Sequence, residues 1–304
     1  MLDICLLGCG GSLPVPERNL TSLLLNYNGK KILIDCGEGT QVSMKILGWG
    51  FKTIDIICFT HAHADHVIGL PGILLTIANS GRETPLTIIG PPGFSSILNG
   101  LMVVCRNLPF KINYIEGSLD GSPVIDTSDL TIRSLELDHL ISCIGYSVEI
   151  KRFPKFNADK AKSLNIPVKF WSILQKGQSI EFDGNTYTPN LVLSEQRKGI
   201  KVSYFTDTRP IDTIIDFVKE SDLLIAEGMY GDNDELPKAV KNKHMLFSEA
   251  ANIAAKANVR ELWLTHFSPS LTKPEDYFQS AHEIFSNTKL GFDRIKTSLN
   301  FSND

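Results

Sequence analysis

Three absences narrow the class of this 304-residue protein. No apolar run reaches the ~18 residues that a membrane-spanning helix needs, so we expect no membrane segment. None of the six cysteines stands in a Cys-x-x-Cys pair, and most lie inside apolar stretches, which predicts reduced buried thiols and a cytoplasmic location. Low-complexity tracts and short-period repeats are absent as well. The remaining composition, 42% hydrophobic and 21% charged, is that of an ordinary globular protein.

A net positive charge is also lacking. The formal charge of −4 argues, taken as a whole, against a nucleic-acid binder. The distribution is uneven, because residues 151–178 carry seven basic residues and one acidic residue. This segment is therefore +6 and the rest of the chain is −10. We interpret 151–178 as an inserted basic arm, and a solvated loop with scattered lysines is the alternative.

Short apolar or β-branched runs, punctuated by glycine, alternate with helix-like stretches on both sides of this segment. The predicted strands cover 3–7, 22–27, 31–35, 54–59, 86–89, 130–137, 145–150, 201–205, 223–226 and 262–264. The predicted helices cover 39–47, 66–79, 93–106, 211–220, 248–257 and 274–287. Such alternation predicts an α/β sandwich, with sheets covered by helices, formed by residues 1–304 as a single domain.

Histidine is scarce, with seven in the chain, yet the stretch FTHAHADH concentrates three of them. His61 and His63 are two positions apart, so an extended backbone points both the same way. Asp65 and His66 follow at the turn into a helix and can face a second metal. Imidazole and carboxylate are usual zinc ligands, and a core does not absorb such polarity unpaired. The spacing therefore indicates a metal site at the end of a strand, the usual place for a site in an α/β fold.

The H-x-H-x-D-H pattern after an apolar strand resembles the metallo-β-lactamase superfamily. The resemblance implies a four-layer αββα sandwich and further ligands that each follow an apolar strand, namely His139, Asp207 and His266. It also implies two zinc ions per subunit, one held by His61, His63 and His139 and one by Asp65, His66 and His266, with Asp207 as the bridge. Asp65 is either a ligand alone or also the general base that orients the attacking hydroxide.

Within the superfamily, LGCGGSLPVPERNLTS resembles the opening of ribonuclease Z, a family of tRNA 3′-processing endonucleases. That family has P-x-K-x-R-N in this loop, and Pro14, Arg18 and Asn19 match it, with Pro16 in place of the lysine. The stretches GLPGILLT, TPLTIIGPPG and SYFTDTRP are also similar. The resemblance implies that Arg18 and Asn19 contact the substrate, and a loop held by their side-chain hydrogen bonds is the alternative.

Ribonuclease Z proteins also pair a glutamate in an H-E-A-T-like stretch with a histidine in H-x-T. Here the pair is Glu227 in LLIAEGMY and His244 in NKHMLFSEAANIA, whereas Ala226 and Leu246 replace the flanking histidine and threonine. In this pairing a histidinium protonates the departing 3′-oxygen, and the carboxylate fixes the tautomer and raises the pKa of the ring. A surface histidine near a helix end is the alternative for His244.

The short form of ribonuclease Z has an arm at the position of residues 151–178, and that arm binds the tRNA elbow. The resemblance implies the same role here, with Lys169 and Trp171 among the substrate-binding residues, through phosphate contact and stacking. Val168 and Lys169 stand where the family usually has Gly-Pro. The family acts as a homodimer, so a homodimer is implied too.

The sequence thus predicts a zinc-dependent endoribonuclease that removes 3′ trailers from precursor tRNA. Manganese is the alternative metal, because imidazole and carboxylate accept both ions. The departures at Pro16, Val168–Lys169 and Leu246 favour one rival, a ribonuclease Z-like hydrolase of other phosphodiesters such as small cyclic nucleotides or other RNA. A thioester or lactam hydrolase and a non-catalytic binding module on the same fold are further alternatives.

Overall fold

The computed structural model describes residues 1–195 and 197–302. In chain order, the strands of these residues are β1 (Leu2–Gly8), β2 (Ser22–Tyr27), β3 (Lys30–Ile34), β4 (Ile54–Cys58), β5 (Leu86–Gly90), β6 (Ile112–Glu116), β7 (Asp120–Asp126), β8 (Leu130–Glu136), β9 (Ile144–Arg152), β10 (Ile180–Phe182), β11 (Asn185–Tyr187), β12 (Arg197–Phe205), β13 (Leu223–Glu227), β14 (Leu262–Thr265), β15 (Thr288–Leu290) and β16 (Ile295–Leu299). The α-helices are α1 (Thr40–Leu47), α2 (Ala64–Val67), α3 (Leu70–Asn79), α4 (Phe94–Met102), α5 (Ala158–Ser163), α6 (Trp171–Gln175), α7 (Asp212–Val218), α8 (Leu236–Asn242), α9 (Phe247–Lys256) and α10 (Phe278–His282). Short 3₁₀ turns lie at Val168–Phe170, Pro189–Leu191, Asn233–Glu235 and Pro274–Tyr277.

Two mixed sheets of seven strands each form the body of the molecule. Their strand orders are β16-β1-β2-β3-β4-β5-β6 and β15-β14-β13-β12-β9-β8-β7. Alternate residues of the central strands point to opposite faces. In β1, for example, Ile4 and Leu6 pack in the core that the two sheets share, whereas Cys5 and Leu7 pack in the core under α1, α3 and α4.

The second sheet is covered on its other face by α7, α9 and α10. Small side chains such as Ala250 and Ala254 let α9 lie close to this sheet, and both are fully buried. The layer order is therefore helix, sheet, sheet, helix, which confirms the predicted αββα sandwich. Among the described residues, no helix is both long and apolar enough to cross a bilayer.

All ten predicted strands are present, and most of their ends agree to within two residues. The strands that the pattern missed are short or lie near sheet edges, where burial alternates weakly, as in β16 with its half-exposed residues. The predicted helix at 66–79 is wrong in its start and continuity, because α2 begins at Ala64 and α3 begins at Leu70. The predicted helix at 274–287 is a 3₁₀ turn followed by the five residues of α10.

The segment that leaves the sheets is longer than the predicted 151–178. Strand β9 continues to Arg152 and β12 begins at Arg197, so the excursion lies between these two residues. It has a small apolar core of its own, formed by Ala161, Ile166, Leu174, Ile180 and Val192. Ile180 and Val192 close this core, which is the physical reason that the segment does not end at 178.

The parallel strands bring polar residues together at one edge of the sandwich. Strands β3 and β4 run parallel, as do β12, β13 and β14. The carboxyl ends of parallel strands meet at the same edge of a sheet. The loops that follow these five strands therefore converge, and those after β4, β12 and β14 carry six of the seven predicted metal ligands.

Candidate metal centre

The seven predicted metal ligands lie together at this edge. Their side chains fall into groups whose ligand atoms lie within 4.8 Å of one another, and these groups are His61, His63, His139 and Asp207, and Asp65, His66 and His266. The two groups correspond to the two ligand sets that the resemblance implied. A further group joins Asp207 and His266 with His244, which the sequence analysis had not placed near a metal.

In the first group, three imidazoles face one another at close range. Nδ1 of His63 lies 3.0 Å from Nε2 of His61 and 3.3 Å from Nε2 of His139. Asp207 Oδ2 lies 3.7 Å from Nε2 of His61 and 3.8 Å from Nε2 of His139. Burial and the neighbouring His66 lower the pKa of His61, which keeps this ring in the neutral form that binds a metal.

The second group surrounds the other oxygen of Asp207. Nε2 of His66 and Nε2 of His266 are 3.2 Å apart. Asp207 Oδ1 lies 3.3 Å from the first nitrogen and 3.2 Å from the second. Asp65 Oδ2 lies 3.5 Å from His66 Nε2 and 3.4 Å from His266 Nε2, and it accepts the Ser12 N–H at 2.6 Å.

This arrangement fits metal ions. The oxygens of Asp207 point to different groups, and Oδ1 is buried with no hydrogen-bond partner in the described residues. Burial opposes its charge, but the imidazoles of His266, His61 and His66 hold the pKa of Asp207 well below its usual range. A buried carboxylate between converging ring nitrogens is the donor set that divalent transition metals take.

Left-handed backbone turns aim several of these side chains. Asp35, Asp207 and His266 have φ values of 57°, 54° and 58°, and each lies within two residues of the end of a buried strand. Residues other than glycine seldom adopt this conformation, which stores local strain and is concentrated at functional sites. The turn lets the chain leave the sheet sharply while the side chain stays at the edge.

Two partners that the sequence analysis missed orient the imidazoles from behind. Asp35, fully buried, accepts the Nδ1–H of His66 at 2.9 Å and the Thr60 N–H at 2.8 Å. The backbone carbonyl of Lys243 accepts the Nδ1–H of His139 at 3.2 Å. Each bond leaves Nε2 of its ring directed at the centre. The only signal for Asp35 was a carboxylate at the end of the apolar run KILID, and a carbonyl partner has no sequence signal.

The predicted pair of Glu227 and His244 is also in contact. Nδ1 of His244 donates to Glu227 Oε2 at 3.0 Å, and Thr208 N–H donates to Oε1 of the same buried carboxylate at 2.5 Å. Burial opposes a charge on His244, but the Glu227 carboxylate raises the pKa of the ring to about 9. The ring stacks beside His266, with centroids 5.7 Å apart, and its Nδ1 lies 3.8 Å from Asp207 Oδ2, so His244 borders the metal centre.

Arg18 and Asn19, two of the predicted substrate-binding residues, contact other parts of the protein in the structure. Arg18 donates from Nη2 to the carbonyl oxygens of Leu271 at 2.6 Å and Thr272 at 3.1 Å, which braces the loop after His266. The Asn19 side chain packs against Gly39 at the start of α1. For Arg18, these contacts favour the alternative of a loop held by side-chain hydrogen bonds.

The two predicted residues of the arm separate into one exposed and one packed side chain. Lys169 is exposed, with Nζ 4.9 Å from the centroid of the Phe170 ring. Trp171 donates from Nε1 to the Ile166 carbonyl at 2.9 Å and packs on Phe156 at 5.3 Å between ring centroids. Trp171 therefore stabilises the arm's own core, and Lys169 is available to an outside partner.

Comparison with known proteins identifies the fold and the family. A family model described as "Beta-lactamase superfamily domain" matches residues 155–267, and one described as "Anti-Pycsar protein Apyc1" matches residues 2–164. The chain is similar in fold to the human tRNase Z, short form, with a TM-score of 0.71 at 23% identity over 98% of this chain and 100% of the other. It is also similar to the metallo-beta-lactamase fold protein YhfI of Bacillus subtilis, with a TM-score of 0.69 at 19% identity over 97% of this chain and 98% of the other.

Sequence relatives are much closer than these structures. The chain is 56% identical to the ribonuclease Z of Clostridium acetobutylicum and 53% identical to that of Clostridium beijerinckii, in both cases over 100% of the two chains. Identity at this level over the whole length includes both the sandwich and the excursion between Arg152 and Arg197. The chain therefore belongs to the ribonuclease Z family.

Proposed function

We propose that this protein is a metal-dependent endoribonuclease that removes 3′ trailers from precursor tRNA. One observation carries the proposal, namely two ligand groups that face the two oxygens of Asp207 and lie beside a hydrogen-bonded pair of His244 and Glu227. Full-length relatives at more than 50% identity carry the name ribonuclease Z, which supports the same reaction and substrate.

We assign the ligands as the resemblance implied. One zinc ion would be held by His61, His63 and His139, a second by Asp65, His66 and His266, and Asp207 would bridge them. Nitrogen and oxygen donors of this kind suit zinc and also accept manganese. When bound, such a pair of cations supplies charge stabilisation at the phosphate and a water of lowered pKa.

The protein's own groups divide the proton transfers between them. His244 is held by Glu227 through Nδ1, so Nε2–H is the proton that the ring can give to the departing 3′-oxygen. The raised pKa keeps this proton on the ring at neutral pH. Asp65 lies beside His66 and His266 and is our candidate for the group that accepts the proton of the attacking water.

The excursion supports an RNA substrate through its charge. Lys160, Lys162, Lys169 and Lys176 are all exposed on it. Lysines on one protruding segment provide the sequence-independent phosphate contacts that RNA binding needs. We therefore assign the excursion as the tRNA-binding arm of a single-domain enzyme.

A homodimer is supported by an exposed apolar patch on α1, α3 and the turn before α3. Val42, Ile46, Ile68 and Leu75 are 60%, 63%, 49% and 42% exposed. Large exposed apolar side chains on neighbouring elements are a feature of association surfaces. A cytoplasmic location is supported by the cysteines, since all six are buried and free.

A hydrolase of other phosphodiesters is the second candidate, and one observation favours it. Of the four residues predicted to bind substrate, Arg18, Asn19 and Trp171 are engaged inside the protein and Lys169 alone is exposed. A catalytic centre without dedicated RNA contacts would serve smaller diesters equally well.

The deciding experiment is cleavage of a precursor tRNA with a 3′ trailer by purified protein with added zinc or manganese. Asp65→Ala is the control, and bis(p-nitrophenyl) phosphate is the parallel small substrate. A cut just after the discriminator base, absent in the control, supports the tRNA assignment. Turnover of the small diester without tRNA cleavage supports the second candidate.

A further inference from the structure

An ion pair connects the loops around His244. Arg209, in the loop after β12, donates from Nη1 to the carbonyl oxygen of His244 at 2.5 Å and to Glu249 Oε2 at 2.9 Å. Its Nη2 bonds to Glu249 Oε1, so the two side chains form a planar fork. They are only 14% and 20% exposed, which shields the pair from solvent and salt.

The same glutamate secures the backbone two residues after His244. Glu249 lies in the first turn of α9, and its Oε2 accepts the Leu246 N–H at 2.9 Å. Leu246 stands at the N-cap, where a threonine could accept a hydrogen bond through its side chain and a leucine cannot. Glu249 therefore anchors the helix start by its own carboxylate, as in the reciprocal half of a capping box.

Arg209 also joins this helix start to the metal centre. Its backbone N–H donates to the Asp138 carbonyl at 3.1 Å, next to His139, and it lies two residues after Asp207. One arginine thus joins its own loop to two others, and each of the three loops carries a residue of the candidate site. Its guanidinium bonds to the His244 carbonyl and to Glu249 rather than to a ligand ring, so loss of the guanidinium reaches the site through the His244 backbone.

We propose that the pair of Arg209 and Glu249 is a positioning device, which holds the His244 ring at a set distance from the metal ligands. The proposal rests on the proposed function in one respect, that His244 acts in phosphodiester cleavage. Leu246 cannot cap α9 through its side chain, and the pair of Arg209 and Glu249 holds the helix start in its place. The pair also connects the helix start to the loops of His139 and Asp207.

A double-mutant cycle on bis(p-nitrophenyl) phosphate tests the proposal. In zinc-loaded protein, we expect Arg209→Ala to lower kcat about 10- to 100-fold with KM and metal content unchanged, because a misplacement of about 1 Å costs this much. In a His244→Ala background, the same substitution should add no further loss. Arg209→Lys should recover part of the rate. Equal losses in both backgrounds would overturn the proposal.

A matched control and a second readout separate positioning from general stability. Arg82 is a buried arginine that bonds to Asp55 at 3.0 Å and to loop carbonyls, but it lies at the opposite end of the strands. Arg82→Ala should lower stability without any coupling to His244.

Hydrogen exchange at the Leu246 amide should quicken in Arg209→Ala and Glu249→Ala, and unchanged exchange would refute the proposal.

Neither the double-mutant cycle nor the hydrogen exchange uses tRNA. Both measurements therefore remain valid tests of this proposal if the protein does not cleave precursor tRNA. Hydrogen exchange also needs no turnover, so it tests the anchoring of the helix start even for a protein that is inactive on the small diester.

Discussion

His66 donates its Nδ1–H to Asp35 Oδ2 at 2.9 Å, and both side chains are fully buried. The carboxylate lies directly after β3 and the imidazole in α2, so the bond joins the segments that follow β3 and β4. It leaves Nε2 of His66 facing His266 and Asp207. A buried carboxylate behind a ligand histidine fixes its tautomer and strengthens it as a donor.

Asp35→Asn should therefore weaken metal binding. We expect affinity for the ion near His66 to fall about 10- to 100-fold, because the amide cannot support the ring with a negative charge. Zinc affinity measured by competition with a chelator checks this, and thermal unfolding of the metal-free protein shows how much of the change is due to folding. Unaltered zinc affinity would contradict the role assigned to Asp35.

Asp207→Ala should remove both ions together. Its two oxygens face different ligand groups, so their loss weakens both sites and abolishes activity in the same variant. Metal content by mass spectrometry of the native protein is the measurement, with circular dichroism as the check on folding. A variant that still holds two ions would show that Asp207 is not the bridge.

His244→Ala should separate metal binding from chemistry. The ring is hydrogen-bonded to Glu227 and is assigned as a proton donor rather than a ligand. We expect metal content near that of the unmodified protein and a cleavage rate about 10²- to 10⁴-fold lower, the usual contribution of a positioned acid. Loss of one ion would instead make His244 a ligand, and full activity would make it a surface residue.

Gly11→Ala should disturb the second ligand group through sterics alone. A Cβ at this position would lie 2.7 Å from Cε1 and 2.8 Å from Nε2 of the buried His266 ring. We expect the ring to move and zinc occupancy to fall towards one ion per chain, measured by isothermal titration.

Gly100→Ala is the matched control for this prediction. Nothing lies within 4 Å of a Cβ built at Gly100, which is in α4. This variant should keep both ions and gain about 0.5–1 kcal/mol in the free energy of unfolding. Equal zinc binding in the two variants would mean that His266 has no ligand role.

Charge removal should distinguish the arm from the catalytic centre. Replacing the exposed Lys160, Lys162, Lys169 and Lys176 by glutamine should weaken precursor tRNA binding and flatten its salt dependence, because each lost phosphate contact reduces the slope by about 0.7 to 0.9. Hydrolysis of bis(p-nitrophenyl) phosphate should be unchanged. Electrophoretic mobility shifts at several salt concentrations give the slope, and an unchanged slope would leave the lysines without a role in RNA binding.

The sequence by itself determined the sandwich and most of the local chemistry. Alternating apolar strands and helices specify the layers, since each face has to be buried, and the HAHADH stretch is too polar for a core. His139, Asp207 and His266 were found by resemblance, each after an apolar strand. Glu227 and His244 were found in the same way, and the structure brings both to the same edge.

Only the tertiary structure decided which groups support these residues and how far the arm extends. Asp35 lies 31 positions before His66, and Arg209 lies 35 positions before His244. No local pattern connects such pairs, because their contact arises from parallel strands that end at one edge. The extent of the excursion between Arg152 and Arg197 likewise depends on Ile180 and Val192, which share a buried cluster with Ala161, a residue distant in the chain. The contacts of Arg18 and Trp171 could not be predicted from the sequence either. Both residue types can contact a substrate or the protein itself, and the packing of the folded chain determines which contacts form.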